Sequence, residues 1–456
     1  MIEMSSGKTI DPEEIEAHYQ QSAFVEEVCV MRLADPARPG AERLCAAVVP
    51  AMDRVRAKKI VNVGDIIRFE MEGLTAAIPE HKRVLGYDIW FEPLPRTPAQ
   101  TIDREQVEQR TRQRRELTSP GREVAINDAD RQWMEEPRAA AVLAVIRERI
   151  GQATRLHPDA NLEIDLGFDS MSRVELLTEL EQRYAVRLPP ETLCGILTVR
   201  HLAAALPAGT GDDRRAGMQS ANVRGWSLLL RDLPPATDPV LSGLLEKRLI
   251  AAPLMHLAAR MIRALLFRVE LSGLENLPKG GAYLICPNHQ SYLDPFMICP
   301  MLPFRMFRNL FFVGAVEYFE TPLTQWFARL ANLVPVDPDS NLVPAMQAGA
   351  FGLAHGKTLV LFPEGERSID GTVKKFKKGA PILAQHMHVP IVPVAINGVF
   401  ELWPRGQGFN WRLLRPWSRH RVRIVIGEPM MFAEDADYNR TATQLRDRVE
   451  RMWLAL

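Results

Sequence analysis

The sequence lacks an excess of charge of either sign, because its 56 basic residues are balanced by 56 acidic ones. This balance gives no electrostatic reason to expect a polyanionic partner, and we predict that no nucleic acid is bound. No run of about 18 uncharged apolar residues is present, so a membrane-spanning helix is not expected. The N-terminus, MIEMSSGKTIDPEEIEAHY, is polar and acidic, which is typical of neither a signal peptide nor a transit peptide.

Cysteine is scarce and scattered. No two cysteines stand at the spacing of metal ligands, so no metal site is predicted. The five are Cys29, Cys45, Cys194, Cys286 and Cys299. An odd number of isolated cysteines is typical of reduced thiols, and it favours a cytoplasmic protein.

Two stretches contain few large apolar residues and therefore predict linkers. One is the charged stretch 104–137, and the other is AGTGDDRRAGMQSAN at 208–222. They divide the chain into three segments, so we predict a multidomain protein. The segments span residues 1–105, 135–208 and 223–456.

The first segment predicts a small α+β subdomain. Strand-like runs at 24–31 and 44–49 flank a loop, and a helical pattern follows at 63–71. The two ends of the segment, SGKTIDPEEIE at 6–16 and LPRTPAQTIDR at 94–104, resemble the C-terminal subdomain of acyl-adenylate-forming ligases.

The resemblance to the ligases breaks down at the position of their catalytic lysine. The family places a glycine and a lysine where this chain has Gln100 and Thr101. Threonine cannot supply the positive charge that stabilises the adenylate. We therefore predict an inactive remnant, with an acyl-activating ligase in trans as a candidate partner. Met1 falls inside the ligase pattern, which fits a longer precursor, a split gene or a different start.

The second segment predicts a bundle of helices. An apolar stripe at helical spacing runs from Ala139 to Ile150, and a second amphipathic pattern runs from Val174 to Tyr184. Between them, LGFDSM at 166–171 resembles the attachment motif of acyl carrier proteins, with methionine in place of the usual leucine. Without this resemblance, an anonymous bundle with a helix-capping aspartate or serine would explain the pattern.

The carrier resemblance implies a four-helix acyl carrier bundle. Ser170 would hold a covalent 4′-phosphopantetheine arm, attached by a phosphopantetheinyl transferase. A serine at the start of a helix suits this role, because the positive end of the helix dipole attracts the phosphate of the arm.

The third segment alternates strand-like and helical patterns, which predicts an α/β domain. Strands are predicted at 358–362, 389–396 and 422–427, and a final helix from Ala442 to Leu456. The stretch 249–269 is amphipathic and contains three arginines. It predicts either ordinary core packing or a helix on a membrane surface, and we expect a protein peripheral to the inner face of the membrane.

In the third segment, a histidine and an aspartate stand five positions apart just after an apolar run. At a turn, the carboxylate of Asp294 can fix one tautomer of His289 and leave the other ring nitrogen free to take a proton. A surface histidine followed by a helix-capping aspartate is the alternative explanation of the pair.

Three blocks of this segment together resemble the phospholipid/glycerol acyltransferase family, which includes glycerol-3-phosphate and lysophosphatidate acyltransferases. They are HQSYLD at 289–294, FPEGERS at 362–368 and VPIVP at 389–393. The resemblance implies a glycerolipid acyltransferase with His289 as general base, oriented by Asp294. It also implies that Glu364, Gly365 and Arg367 hold the acceptor or its phosphate, for which the arginine fork is suited.

The remaining block departs from the family, which usually places an arginine where this chain has Pro338. A phosphate-bearing glycerol acceptor is therefore in question, and another hydroxyl or an amine is the alternative. Lysines follow the third block at 374, 375, 377 and 378. They predict either positive potential for an anionic headgroup, a carrier arm or coenzyme A, or a solvated charged face.

The three segments together predict an acyltransferase linked to its own carrier. The acyl group would pass from a thioester, on the carrier or on coenzyme A, to a hydroxyl of a lysophospholipid or glycerol-phosphate-type acceptor. No acyl-enzyme is required. Tethering the carrier raises the effective concentration of the thioester. The alternative is a non-catalytic carrier scaffold of an acyl-activating system.

Overall fold

The protein is described from a computed structural model. The described residues are 2–3, 9–34, 42–58, 60–76, 78–79, 82–117, 128–150, 156–163, 165–186, 188, 196–207, 210, 225–238, 241–245, 251–314, 321, 330–336, 341–405, 407–414, 418 and 420–456. The chain divides into two compact units, Met1–Asn222 and Val223–Leu456.

The first unit begins with an α+β segment. Its elements are β1 (Ile2–Glu3), β2 (Thr9–Ile10), α1 (Pro12–Tyr19), β3 (Val25–Ala34), β4 (Glu42–Pro50), α2 (Met52–Ala57), α3 (Val63–Ala76) and β5 (Gly86–Ile89). Strand β4 pairs antiparallel with β3 and parallel with β5. Successive side chains of β3 point to opposite faces of the sheet. Val28 and Val30 therefore pack in one apolar core, and Cys29 and Met31 pack in another. The strands and helix predicted in this segment are confirmed.

The first unit continues with helices. They are α4 (Arg104–Leu117), α5 (Asp128–Glu135), α6 (Pro137–Ile150), α7 (Ser170–Tyr184) and α8 (Val199–Ala205). The last three share one apolar core, in which Val142, Leu176 and Val199 are almost fully buried. Helices α6, α7 and α8 are the helices found after residue 136 in the described part of the carrier-like segment. The fourth helix of the predicted bundle therefore stays a prediction.

The charged stretch 104–137 contains helices at 104–117 and 128–135, although its composition predicts a linker without regular structure. Helix α4 is anchored on the α+β segment, because Arg104 forms an ion pair with buried Glu16 and Val107 packs in the adjoining core. Helix α5 is tied to the carrier-like segment by Asp130, which lies 2.7 Å from Arg200. Ion pairs and a few apolar anchors thus order a sequence with little apolar surface. Residues 118–127 and 211–222 lie outside the described ranges.

The second unit is built on a seven-stranded sheet. Its strands are β6 (Val269–Ser272), β7 (Tyr283–Pro287), β8 (Leu310–Val313), β9 (Leu333–Val334), β10 (Thr358–Val360), β11 (Ile391–Asn397) and β12 (Val422–Ile426). Their order is β6-β12-β11-β7-β10-β8-β9, and only β11 and β12 pair antiparallel. Every residue of the central strand β7 is buried. The predicted α/β architecture is confirmed.

Helices accompany these strands in the second unit. They are α9 (Gly225–Leu229), α10 (Ser242–Leu245), α11 (Ala251–Leu266), α12 (Asp294–Ile298), α13 (Phe304–Phe307), α14 (Leu342–Ala354), α15 (Gly379–His386) and α16 (Tyr438–Leu454). Helix α16 begins earlier than predicted, because Asp437 caps it by accepting a hydrogen bond from the Arg440 backbone. None of the helices in the described ranges is long and apolar enough to cross a membrane.

Candidate active site

The histidine block and the glutamate block meet at one edge of the central sheet. His289 lies two residues beyond the end of β7, and Glu364 lies four residues beyond the end of β10. Strands β7 and β10 are parallel neighbours. The carboxyl ends of parallel strands share one edge of a sheet, and this topology brings the two blocks together.

His289 and Asp294 form a close pair, as predicted. The ring Nδ1 lies 2.7 Å from Asp294 Oδ2, and the aspartate is fully buried. The same carboxylate oxygen accepts hydrogen bonds from the backbone N–H groups of Gln290 and Ser291, at 2.7 and 2.9 Å. A carboxylate on Nδ1 favours the tautomer that carries its proton there, which leaves Nε2 able to accept one.

The turn that carries the histidine is fixed by buried polar side chains. The Asn288 amide bonds both the N–H and the C=O of Ile396 on β11, at 2.7 and 3.0 Å. Gln290 donates to the backbone oxygen of Gly371 at 2.7 Å. These contacts were not predicted, although the polar run directly after a buried strand is a signal that such side chains have backbone partners. The turn is therefore preorganised.

The imidazole also rests on an aromatic ring. His289 stacks on Phe362, with ring centroids 4.1 Å apart and planes inclined by 27°. Its side chain keeps 19% of its surface exposed, so the ring remains accessible from one side. Phe362 belongs to the second predicted block, and this packing is a further reason why the two blocks occur together.

Glu364 lies against the backbone of the turn that carries His289. Its Oε1 accepts a hydrogen bond from the His289 N–H at 3.1 Å, and the residue is 2% exposed. Burial raises the pKa of Glu364 to about 8, and the nearby charge of Asp294 adds to the rise. Near neutral pH, the carboxyl is therefore largely protonated.

Gly365 and the lysines shape the same turn. Gly365 has a φ of 76°, which favours glycine, and a Cβ there would lie 2.9 Å from Cε of Lys377. Lys374 pairs with Asp370 at 3.0 Å, and Lys378 is buried. The side chain of Lys377 therefore packs on the turn.

Arg367 stacks on an aromatic residue of the histidine turn. Its guanidinium carbon lies 3.3 Å from the centre of the Tyr292 ring. Its Nη1 is buried and has no hydrogen-bond partner among the described residues. The Tyr292 ring in turn contacts Trp403, with centroids 5.0 Å apart. Trp403 was missed by the sequence analysis, because the loop after β11 carries no motif.

Arg405, in the same loop after β11 as Trp403, reaches the glutamate block. Arg405 is 7% exposed, and its guanidinium lies 3.6 Å from the carboxylate of Glu366. It was missed for the same reason as Trp403. The position that lacks the family arginine, Pro338, lies outside the described residues.

Ser170 is the first residue of α7. The preceding Asp169 caps the helix by accepting a hydrogen bond from Ser172 N at 2.8 Å. Gly167, two residues before this cap, has a φ of 71°, a backbone conformation that favours glycine. The serine is half-buried at the positive end of a 15-residue helix. This position fits a covalent arm that begins with a phosphate.

The ligase-like turn at Gln100 keeps a backbone shape that favours glycine. Gln100 has a φ of 64°, in the left-handed region. The hydroxyls of Thr97 and Thr101 are hydrogen-bonded at 2.8 Å, so Thr101 occupies the lysine position with a neutral side chain.

Comparisons with known proteins identify two of the segments. Residues 268–397 match the model of the Acyltransferase family, and residues 140–206 match that of the phosphopantetheine attachment site. The chain therefore contains an acyltransferase domain and a phosphopantetheine attachment domain.

Several acyltransferases are similar to part of this chain. A chloroplastic 1-acyl-sn-glycerol-3-phosphate acyltransferase of Arabidopsis thaliana is 29% identical over 36% of this chain and 44% of that relative. The 1-acyl-sn-glycerol-3-phosphate acyltransferase of Pseudomonas aeruginosa is 29% identical over 40% of this chain and 66% of that relative. The crystal structure of a Thermotoga maritima 1-acyl-sn-glycerophosphate acyltransferase is 27% identical, covers 48% of this chain and 87% of that chain, and gives a TM-score of 0.38. The chain spans about half the length of the first curated relatives that it matches.

Proposed function

We propose that this protein transfers a fatty acyl group from a thioester to a hydroxyl of a lysophospholipid or glycerol-phosphate-type acceptor. The observation that carries the proposal is the 2.7 Å contact between His289 Nδ1 and buried Asp294. This contact leaves Nε2 able to act as a base, on a side chain that is 19% exposed. The match to the Acyltransferase family and the similarity to 1-acyl-sn-glycerol-3-phosphate acyltransferases support the same chemistry.

In this mechanism, His289 Nε2 takes the proton of the acceptor hydroxyl as its oxygen attacks the thioester carbon. Asp294 stabilises the imidazolium that forms. The proton then passes to the departing thiolate, so acyl transfer releases a free thiol and no covalent acyl-enzyme is needed. Because a thioester is already activated, a positioned base is sufficient.

Arg367 is the residue we assign to an anionic group of the acceptor. Its buried Nη1 has no hydrogen-bond partner in the described part of the chain, and its ring contact with Tyr292 aligns the fork. A phosphate oxygen would satisfy this donor. Glu364 and Gly365 support the turn that presents the arginine, and a protonated Glu364 adds no negative charge that would repel phosphate.

The donor is proposed to be the acyl group on the arm of Ser170, with acyl-coenzyme A as the alternative. When bound, the 4′-phosphopantetheine arm supplies the thiol that carries the acyl group. Asp169 and the start of α7 would hold its phosphate end. Loading of the arm requires a phosphopantetheinyl transferase, and an acyl-activating ligase in trans would supply the acyl group.

A membrane surface is the proposed source of the acceptor. Large apolar side chains project from α11, and each is about half or more exposed. They are Leu254, Leu257, Met261, Ile262 and Leu265. Arg260 and Arg263 lie on the same helix, so its charge complements anionic headgroups. We place the protein at the inner face of the membrane on this basis.

The proposal is tested by measuring acyl transfer in a His289→Ala variant. Lysophosphatidate and monoacylglycerol serve as acceptors with and without phosphate, and the loaded carrier and acyl-coenzyme A serve as donors. We expect kcat to fall by a factor on the order of 10² to 10⁴, which is the usual contribution of a general base. His388→Asn is the matched control, because His388 is exposed and asparagine tolerates its φ of 52°. Full transfer by His289→Ala would instead leave the protein as a carrier scaffold.

A further inference from the structure

The α+β segment and the carrier segment of the first unit meet through two charged residues of the carrier. Glu163 and Arg173 stand seven positions before and three positions after Ser170. Their partners are backbone groups at the start of α3, which belongs to the α+β segment. The two residues that make this contact therefore stand on either side of Ser170 in the sequence.

Arg173 is buried in this contact, with 2% of its surface exposed. Its Nη1 donates to the backbone oxygen of Val61 at 2.6 Å, and its Nη2 donates to the backbone oxygen of Ile196. One planar guanidinium thus joins the α+β segment to two parts of the carrier. The compact ammonium of a lysine has no such fork.

Glu163 approaches the first turn of α3 from the carrier side. Its Oε1 accepts a hydrogen bond from Asp65 N at 3.3 Å. The same oxygen lies 2.6 Å from the point where a Cβ on Gly64 would be. Since α3 has 14 residues, its N-terminus offers a partial positive charge to the carboxyl, and only glycine at position 64 leaves room for it.

Apolar packing accompanies the polar contacts. Leu197 of the carrier segment packs against the buried cluster that contains Ile60, Val63 and Ile67 of the α+β segment. The interface thus combines apolar packing with the hydrogen bonds of half-buried Glu163 and buried Arg173. Directed hydrogen bonds from buried charged groups fix one arrangement of two surfaces, because any other leaves those groups without partners.

We propose that the α+β segment is a docking platform for the carrier. Its edge from Val61 to Asp65 binds an acyl carrier that has an acid seven residues before its modified serine and an arginine three residues after it. The platform fixes the start of α7, and with it Ser170, within the first unit. This role is independent of adenylation, for which Thr101 is unsuited, and of the acyl transfer proposed above.

The test is amide hydrogen exchange, followed by mass spectrometry, on the full chain with Arg173→Met. We expect exchange at residues 60–67 to become about tenfold faster or more, because the platform loses its partner. Arg183→Met is the matched control on the same helix, since Arg183 pairs with Glu148 at the surface and should leave residues 60–67 unchanged. A role of Arg173 confined to the carrier would change only residues 156–206.

Gly64→Ala tests the platform from the opposite side. Its methyl group displaces Glu163, so exchange at residues 160–175 should accelerate, whereas Gly280→Ala, which meets no atom within 4 Å, should have no effect. If Arg173→Met unfolds the carrier, Glu163→Gln is used instead, because it keeps the side-chain volume and removes the charge. Exchange at residues 60–67 and 160–175 should then become faster. Unchanged exchange at 60–67 and 160–175 in both Glu163→Gln and Gly64→Ala would overturn the proposal.

Discussion

The guanidinium carbon of Arg367 lies 3.3 Å from the centre of the Tyr292 ring. Tyr292 belongs to the turn of the histidine, and Arg367 belongs to the turn of Glu364, so the contact joins the two blocks of the site. An arginine stacked on an aromatic face keeps its N–H edge available for a ligand in the plane of the guanidinium. The tyrosine therefore fixes the orientation of the guanidinium to which we assign an anionic group of the acceptor.

Replacing Tyr292 with leucine should weaken acceptor binding. The loss of a cation–π contact, worth on the order of 1 kcal/mol, corresponds to a rise in KM for lysophosphatidate of about fivefold to tenfold. We expect kcat to change little, because the His289–Asp294 pair is untouched. Tyr292→Phe keeps the ring and should keep KM near the wild-type value. Equal KM values for the leucine and phenylalanine variants would show that the ring does not orient Arg367.

Asp294→Asn should abolish most of the transfer. An asparagine oxygen in the place of Oδ2 can still accept from His289 Nδ1 and from the backbone of Gln290 and Ser291. The neutral side chain, however, no longer stabilises the imidazolium that forms on His289. We expect kcat to fall by about two orders of magnitude or more, with circular dichroism unchanged. Wild-type turnover in a folded variant would mean that the charge of Asp294 does not assist the base.

Glu364→Gln should change how stability depends on pH. Because the pKa of Glu364 is raised to about 8, the folded protein keeps a proton that the unfolded chain releases near pH 4.5. This contribution is full below about pH 4.5 and is lost as the pH rises towards about 8, at about 1.4 kcal/mol per pH unit. The unfolding free energy of the wild type relative to the variant should therefore decrease across that range. Denaturant titrations at several pH values measure it, and a constant difference would contradict the raised pKa.

Ser170→Ala separates the two donors. The variant should gain no mass when it is expressed with a phosphopantetheinyl transferase, whereas the wild type gains the arm. Transfer from acyl-coenzyme A should persist, and transfer from acyl groups loaded on the chain should vanish. Arm attachment to the alanine variant would place the modified residue elsewhere, for which Ser172 on the same helix provides the control substitution Ser172→Ala.

Helix α11 offers a test of membrane binding. Leu257 and Leu265 are 57% and 68% exposed, and burying one leucine is worth about 1.5–3 kcal/mol. Leu257→Asp with Leu265→Asp should lower partition onto anionic vesicles by at least about tenfold in a sedimentation assay. Leu454→Asp, at an exposed leucine on α16, is the control. Undiminished binding of the double variant would mean that α11 is not the lipid-facing element.

The His289–Asp294 pair and the central strands could be predicted from the sequence because their information is local. An apolar run followed shortly by a histidine and an aspartate five positions apart predicts the strand, the turn and the contact of the two side chains. Glu364 was predicted as part of the site, but its contact with the His289 backbone depends on β7 and β10 being neighbours, which no local pattern shows.

Trp403 and Arg405 could not be predicted for a related reason. They lie in an irregular loop after β11, and their contacts depend on tertiary packing. Trp403 contacts Tyr292, which stands more than a hundred positions earlier, and Arg405 contacts Glu366. The helices at 104–117 and 128–135 were missed because apolar content was taken as the measure of order. There, ion pairs such as that between Arg104 and Glu16 order the chain instead.

The turn at Gln100 holds a left-handed conformation that costs a residue with a side chain about 1 kcal/mol. The backbone at this position is therefore already in a conformation that favours glycine. Gln100→Gly together with Thr101→Lys would put an ammonium group on this turn without rebuilding the main chain. Two substitutions would thus place a positive charge on the first unit, which already contains the phosphopantetheine attachment domain.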